Sequence, residues 1–425
     1  MTSTSKNGKE RRVVITGMGL LTPVGGDVPE SWAALLQGKS GGGPITNFEA
    51  SEEYSTRIAC EVKDFDPSVF LDPKEVRRFD RFAQFGLAVA IEAMASTGLD
   101  GPPSGVAAER FGVIFGSGIG GIATFERQHT ILMERGPRRV SPFFVPMFIP
   151  DIAAGLISIR FGAKGPNYAT VSACASSAHA IGDAFRFIQR GQVDVMIAGG
   201  SEASVTPMAM AGFSSMKAMS TRNDDPATAS RPFDATRDGF VIGEGGGCVI
   251  LEALEVAQER GADIVAEVVG YGVSGDAYHI TSPAPEGEGA QYAMRMALED
   301  ADASPSGVDY INAHGTSTQA NDRTETAAIK AVFGEAAYDV TVGSTKSMTG
   351  HLLGAAGGVE AVASALACKE GRIPPTINFV EGDPDCDLDY AHGGMVERPV
   401  RLALSNSFGF GGHNVCLAIR HWDGE

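Results

Sequence analysis

The stretch Tyr168-Ala-Thr-Val-Ser-Ala-Cys174-Ala-Ser-Ser-Ala-His-Ala-Ile-Gly182 joins a short β-branched run to a helix built almost wholly of small residues. A strand that passes directly into a helix is the building unit of α/β folds, and small residues let a helix backbone approach its neighbours closely. The cysteine at the junction has no second cysteine nearby for a disulfide or a metal site. A thiol in the first turn of a helix feels the positive end of the macrodipole and unpaired N–H groups, which favour thiolate and lower its pKa. Cysteine is also among the most buried and inert residue types, so the rest of the chain decides whether Cys174 is a nucleophile.

Outward from this junction, short β-branched runs alternate with Ala-rich stretches. The pattern predicts strands at Val13–Thr16, Phe111–Phe115, Val193–Ala198, Cys248–Glu252, Ile264–Tyr271, Val308–Asn312, Val340–Gly343 and Val415–Arg420. It predicts helices at Ser31–Gln37, Phe79–Thr97, Ile149–Phe161, Ala175–Gln189, Gly287–Asp300, Arg323–Phe333 and Ala355–Lys369. Such alternation implies an α/β fold with parallel sheets covered on both faces. The segment Ser344-Thr-Lys-Ser-Met-Thr-Gly-His351 leads into a second small-residue helix and weakly echoes the Cys174 junction. Corresponding positions in two halves would set the two junctions side by side at the carboxyl ends of strands, where open α/β sheets build their sites. A boundary in the charged run 255–262 gives an N-terminal half, 1–258, carrying the cysteine, and a C-terminal half, 259–425. Residues 220–240 form a long polar excursion of the kind often used in function.

At 425 residues the chain exceeds one ordinary core. Its formal charge of −18 argues against nucleic acid as a partner, which needs clustered Lys and Arg in excess. The cysteines at 60, 174, 248, 368, 386 and 416 include no C-x-x-C pair, so neither a disulfide framework nor a zinc site is expected, and a reducing cytoplasm fits. The run after Lys9-Glu-Arg-Arg12 is broken by Gly17, Gly19, Pro23 and Gly25, and no apolar stretch approaches the roughly 18 residues of a membrane helix.

Three further clusters carry chemistry. Asn312-Ala-His314-Gly-Thr316-Ser-Thr318 places a histidine at a strand end, with two hydroxyls at a spacing that points them the same way in an extended loop. Lys346 and His351 precede the second small-residue helix. Ser405-Asn-Ser-Phe408-Gly-Phe410-Gly-Gly-His413-Asn414 is a glycine-rich turn without Lys or Arg, better suited to an oxyanion than to phosphate. The formal G-x-G-x-x-G at Gly116–Gly121 lacks the downstream strand and acid of a dinucleotide site.

Together these clusters resemble the β-ketoacyl-acyl carrier protein synthases, most closely the elongating synthase II group. The resemblance runs from Arg11-Arg-Val-Val-Ile-Thr-Gly-Met-Gly to Phe408-Gly-Phe-Gly-Gly-His-Asn414 and includes Ser220-Thr-Arg-Asn-Asp, Arg231-Pro-Phe-Asp, Arg237-Asp-Gly-Phe, Asp276-Ala-Tyr-His and Ile373-Pro-Pro-Thr-Ile-Asn. It implies the thiolase-like fold, two similar halves with mixed sheets in five αβαβα layers, a homodimer, and acyl carrier protein as partner. It implies decarboxylative Claisen condensation of an acyl-enzyme with malonyl carrier in fatty acid elongation, in the cytoplasm, with no membrane, metal or cofactor beyond the carrier's phosphopantetheine.

The same resemblance makes Cys174 the nucleophile, His314 and His351 donors to the malonyl thioester, Lys346 and Glu360 a supporting pair, and the N–H groups of Cys174 and Phe410 an oxyanion hole. Thr316 and Thr318 would hold the pantetheine arm, with Asn414 also at the substrate. Ile119, Phe144 and Phe213 would wall the acyl pocket, Phe144 from the other subunit, and Phe408 and Phe410 would form a gate. A strongly acidic carrier needs a basic entrance on an enzyme of this charge, and Lys74, Arg77, Arg78, Arg138, Arg139 and Lys217 match docking positions. Ser177, Gln319, Asn321 and His413 depart from the usual family pattern without removing a catalytic group. A polyketide ketosynthase subunit would share these residues; a chain-length factor, which lacks the nucleophile, fits less well.

Overall fold

A computed structural model describes residues 10–424; Lys9, at the head of the basic run, lies outside the described residues. Ten strands form the main sheet: β1 Val13–Leu21, β2 Phe111–Gly116, β3 Asn167–Tyr168, β4 Val195–Glu202, β5 Gly245–Ala253, β6 Ala266–Gly275, β7 Tyr310–Asn312, β8 Thr341–Gly343, β9 Leu402–Gly409 and β10 His413–His421. Their spatial order is β8-β7-β9-β10-β6-β1-β5-β4-β2-β3. The first five and the last five strands therefore share one order, third-second-fourth-fifth-first, and the two sets meet where β1 pairs with β6 through Val13, Val14 and Ile15.

The sheet is mixed. β2 runs parallel to β3 and β4, as β7 does to β8 and β9. The pairs β4–β5, β5–β1, β1–β6, β6–β10 and β10–β9 are antiparallel. The alternation of strand and helix alone implied parallel sheets; it does not register that β10 follows β9 across the tight turn 410–412, which is too short for the crossover that parallel pairing requires.

Six helices complete five layers: α1 Arg81–Ser96, α2 Ile152–Phe161, α3 Ser176–Gln189, α4 Glu288–Asp300, α5 Gln319–Phe333 and α6 Ala356–Glu370. Phe82, Phe85, Val89 and Ala93 of α1, with Ile157 and Phe161 of α2, pack on Val195, Ile197, Cys248 and Ile250 of the first set of strands. Met294, Ala297 and Leu298 of α4, with Ile329 and Phe333 of α5, cover Ile311, Leu404, Cys416 and Ala418 of the second. Between the two sets of strands lie α3 and α6, where Ile181, Phe185, Val359 and Val362 join Val249, Leu251, Val415 and Leu417. The period-two alternation of a strand is visible in Val249 and Ile250, or Val415 and Cys416, which belong to opposite faces. Helix α6 is buried from Ala356 to Cys368, so its even, apolar composition reflects cover from both sets of strands.

Both outer layers use one packing device. A Cβ on Gly19 of β1 would lie 2.0 Å from the carbonyl oxygen of Val89, and one on Gly272 of β6 would lie 1.9 Å from that of Ala293. Helix and strand backbones touch directly there, which only glycine permits. The junctions ahead of the two central helices also match, because Ala173 (φ 51°) and Leu353 (φ 48°) each take a left-handed conformation three residues before α3 and α6.

Elements absent from the sequence reading include β9 and the helix Ile122–Arg135. The polar segment 220–240 is exposed or half-buried over 221–228 and mostly internal from 229 on: Ser230, Arg231, Asp234 and Arg237 are buried, and Arg237 pairs with Asp322 at 3.3 Å and Asp383 at 2.7 Å.

Candidate active site

Cys174 lies between β3 and α3, two residues ahead of the helix rather than inside its first turn. The turn is tied by hydroxyls: Thr170 Oγ1 donates to the Ser176 carbonyl at 2.7 Å, and Ser176 Oγ donates to the Ala173 carbonyl at 2.7 Å while accepting from Ser172 N at 2.9 Å. The thiol is 7% exposed. Burial pushes it up to about 12, although the Lys346 charge and the N–H groups of Phe410 and of Cys174 itself pull the other way. The helix-dipole argument thus gives the wrong sign, because desolvation of a thiolate outweighs a partial charge offset from the sulfur. At rest this is a thiol.

His314 follows β7 and His351 follows the short helix Lys346–Thr349. Their rings stand 5.3 Å apart and nearly perpendicular, with Phe408 5.7 Å from His314 and Phe240 5.6 Å from His351. Cys174, both histidines, Phe408 and Phe410 line one cavity of about 610 Å³. Both imidazoles are held well below the usual histidine range, first by burial and then by the Lys346 charge, so both are neutral. Among the described residues neither Nδ1 has a hydrogen-bond partner.

Lys346 Nζ donates to Glu360 Oε1 in a fully buried ion pair. Burial raises the Glu360 carboxyl to about 7 against the pull of Lys346. Among the described residues Glu360 Oε2, Asn312 Oδ1, Ser405 Oγ and Asn406 Oδ1 lack partners, and Asn312 and Ser405 sit opposite each other on β7 and β9. Oxygen acceptors of this kind suit an ordered water or a hard cation; among the described residues no group of three His, Cys, Asp or Glu side chains could hold a metal.

Sequence reasoning missed Glu325. This buried carboxylate on α5 accepts from His314 N and Gly315 N, both at 2.8 Å, and from Asn406 Nδ2 at 3.1 Å, fixing the loop that presents the histidine. A lone Glu in an Ala-rich amphipathic helix reads as a solvated face, so only its proximity to Asn321, a residue that departs from the family pattern and sits 3.4 Å away, could have drawn notice.

Thr316 Oγ1 and Thr318 Oγ1 lie 2.9 Å apart on the cavity wall, and Thr318 also caps α5, which starts at Gln319 rather than Arg323. Asn414 lines the cavity and donates to Asp276 Oδ1 at 2.7 Å. Ile119 and Phe213 pack in the apolar cluster around Cys174. Phe144 is placed elsewhere, on the surface with Phe125 and Phe148, and does not line this chain's cavity. Lys217 stands at the cavity rim; Lys74, Arg77 and Arg78 are exposed on the helix Pro73–Arg78, and Arg138 and Arg139 on the turn Pro137–Arg139, with Arg78 stacked 4.5 Å over Phe143 between the two groups. Ser177 Oγ accepts from Gly358 N at 2.8 Å, tying α3 to α6.

Family models agree with this geometry along most of the chain. The β-ketoacyl synthase N-terminal domain matches residues 10–257 and the C-terminal domain residues 265–380. The 3-oxoacyl-[acyl-carrier-protein] synthase 2 of Synechocystis is 53% identical over 98% of this chain and 99% of its own, and that of Staphylococcus aureus is 54% identical over 98% and 99%. A type II PKS ketosynthase solved with its acyl-carrier protein and bound to the hexaketide superposes with a TM-score of 0.90 at 36% identity, covering 98% of this chain and 100% of that one. A β-ketoacyl synthase from Burkholderia phymatum gives 0.89 at 36% identity, covering 97% and 100%. With the thiolase-like duplication, the buried thiol and the paired neutral imidazoles in one cavity, these matches carry one conclusion: the chain belongs to the β-ketoacyl synthase family.

Proposed function

We infer that the chain is an elongating condensing enzyme of the synthase II type, an acyltransferase that joins an acyl group to the two-carbon unit of malonyl-acyl carrier protein. The observation that carries this reading is the single cavity holding one thiol and two neutral imidazoles. Cys174 Sγ attacks the carrier thioester; the S–C bond to pantetheine breaks, and the carrier leaves as its thiol with the cysteine's proton. Malonyl carrier then binds and loses CO2, and N–H groups of His314 and His351 hold the thioester oxygen of the resulting enolate. Neutral imidazoles stabilise that charge without being strong enough acids to quench the carbanion. The carbanion attacks the acyl carbonyl of Cys174. The N–H groups of Cys174 and Phe410 hold the tetrahedral oxyanion, each donor being worth about 3 kcal/mol, and its collapse expels the cysteine sulfur, which takes a proton from water.

Lys346, paired with Glu360, supplies fixed positive charge behind the site. Thr316 and Thr318 grip the pantetheine arm, Ile119 and Phe213 wall the acyl chain, and Phe408 and Phe410 gate it. The chemistry as written needs no cofactor. The exposed Lys74, Arg77, Arg78, Arg138, Arg139 and Lys217 dock the acidic carrier. A homodimer is supported by the unpaired outer edge of β3, exposed Val171, Leu132, Met133 and Val145, and the position of Phe144 outside its own cavity. No helix among the described residues is long and apolar enough to cross a membrane; the cytoplasm is the proposed place of work. A polyketide ketosynthase role is the second reading; higher identity to the synthase 2 relatives favours fatty acid elongation. Supplying acyl and malonyl carrier together should release CO2 and a β-ketoacyl carrier two carbons longer; full activity in Cys174→Ala would refute the mechanism.

A further inference from the structure

One buried carboxylate beside the nucleophile has no part in the chemistry above. Glu202 ends β4 and is 0% exposed. Its Oε2 accepts from Gly118 N at 2.7 Å and Gly354 N at 3.1 Å, while Oε1 accepts from Ser117 Oγ at 3.1 Å, Ser204 Oγ at 3.2 Å and Ile119 N at 3.3 Å. All five donors are backbone N–H or hydroxyl groups. The backbones around the carboxylate are in contact, since a Cβ on Gly354 would lie 2.1 Å from Gly118 N and one on Gly118 would lie 2.8 Å from Glu202 Oε2.

These donors lie on or next to residues of the apolar cluster packed around Cys174, of which Leu353 lines the open cavity. Ile119 donates directly, Gly354 follows Leu353, and Ser204 precedes Val205; Ile119, Leu353 and Val205 share one cluster with Cys174, Phe240 and Met210. Three segments of that cluster, from separate parts of the chain, thus hang from a single group. Building on the condensing reading, we propose that Glu202 is a specificity-determining positioning residue: its carboxylate fixes that cluster at Ile119, Val205 and Leu353 and so sets which acyl lengths Cys174 accepts. An acceptor with two oxygens is required, because a carboxamide offers one oxygen and turns N–H toward N–H. Loss of the clamp frees walls that otherwise reject chains by contact, and discrimination in an apolar pocket is about tenfold or more per methylene when its walls are fixed.

The test uses N-alkyl iodoacetamides with alkyl chains from two to twelve carbons on the full-length protein. Cys174 Sγ forms the new S–C bond, iodide leaves and the thiol proton passes to solvent; intact mass gives the rate. In Glu202→Gln the ratio of short-chain to long-chain labelling should flatten by about tenfold, with the product length profile in condensation broadening in step. Ser117→Ala, which removes one donor to the carboxylate, should flatten it in the same direction by less, and serves if Glu202→Gln does not fold. Ser177→Gly, which loosens the α3–α6 contact outside the clamp, should lower the melting temperature and leave the ratio alone. Folded Glu202→Gln, or Ser117→Ala in its place, with the wild-type ratio would overturn the proposal. Wild-type protein that labels selectively yet forms no β-ketoacyl product would refute the condensing reading, while the ratio would still decide the role of Glu202.

Discussion

If His314 and His351 are neutral in the native site, acidification must destabilise the fold through each of them. Their folded-state pKa values lie well below the ordinary 6.5, because both rings are buried near Lys346. Below pH 6.5 the unfolded chain binds a proton on each ring that the native state refuses, so stability falls with pH and continues to fall until the folded pKa is reached. Each ring should cost about 1.4 kcal/mol by pH 5.5 and almost nothing at pH 7.5. The buried carboxyls of Glu202, Glu325 and Glu360 are raised and act in the opposite direction, since the native state takes their protons first as pH falls. Comparison with His314→Asn and His351→Asn removes that background. Urea unfolding at pH 7.5 and 5.5 should show each variant gaining about 1.4 kcal/mol relative to wild type over the interval. Parallel wild-type and variant curves would mean that the native rings titrate normally, and the neutral-donor mechanism would fail with them.

Lys346→Met strands the Glu360 carboxyl without its cation; the protein should lose roughly 3–5 kcal/mol in chemical denaturation, and alkylation of Cys174 should shift to higher pH because the charge favouring thiolate is gone. Ser177→Gly removes the acceptor for Gly358 N and should cost about 1 kcal/mol in thermal unfolding while condensation persists. Arg77→Glu with Arg138→Glu should raise KM for carrier-bound substrates and flatten the salt dependence of kcat/KM without changing kcat; an unchanged KM would remove these residues from the docking surface. Gly118→Ala drives a methyl group into the Glu202 carboxylate, 2.8 Å from Oε2, and should be destabilised by about 1–3 kcal/mol with altered acyl preference.

Cys174, His314 and His351 could be singled out in the sequence because rare residue types stood inside distinctive motifs, Cys174 and His314 just beyond strands and His351 just beyond a short helix. The duplication was legible only as a weak echo; its clearest mark, the left-handed Ala173 and Leu353, is a backbone property that neither residue type discloses. Strand β9 escaped because Ser405-Asn-Ser-Phe reads as a loop, whereas pairing to β7 and β10 makes it a buried strand. Glu202 and Glu325 escaped for the opposite reason: acidic residues normally mark surface, and only tertiary contacts reveal carboxylates saturated by backbone donors. The sign of the Cys174 shift failed because the dipole argument is local while desolvation depends on everything packed around the sulfur.

The covalent intermediate on Cys174 is the step most directly open to measurement. Mixing the protein with an acyl carrier thioester and digesting it should place one acyl mass on the peptide containing Cys174, and adding malonyl carrier should remove that mass as CO2 and β-ketoacyl carrier appear together. An acyl mass on any other residue, or an acyl-Cys174 that malonyl carrier leaves in place, would contradict it.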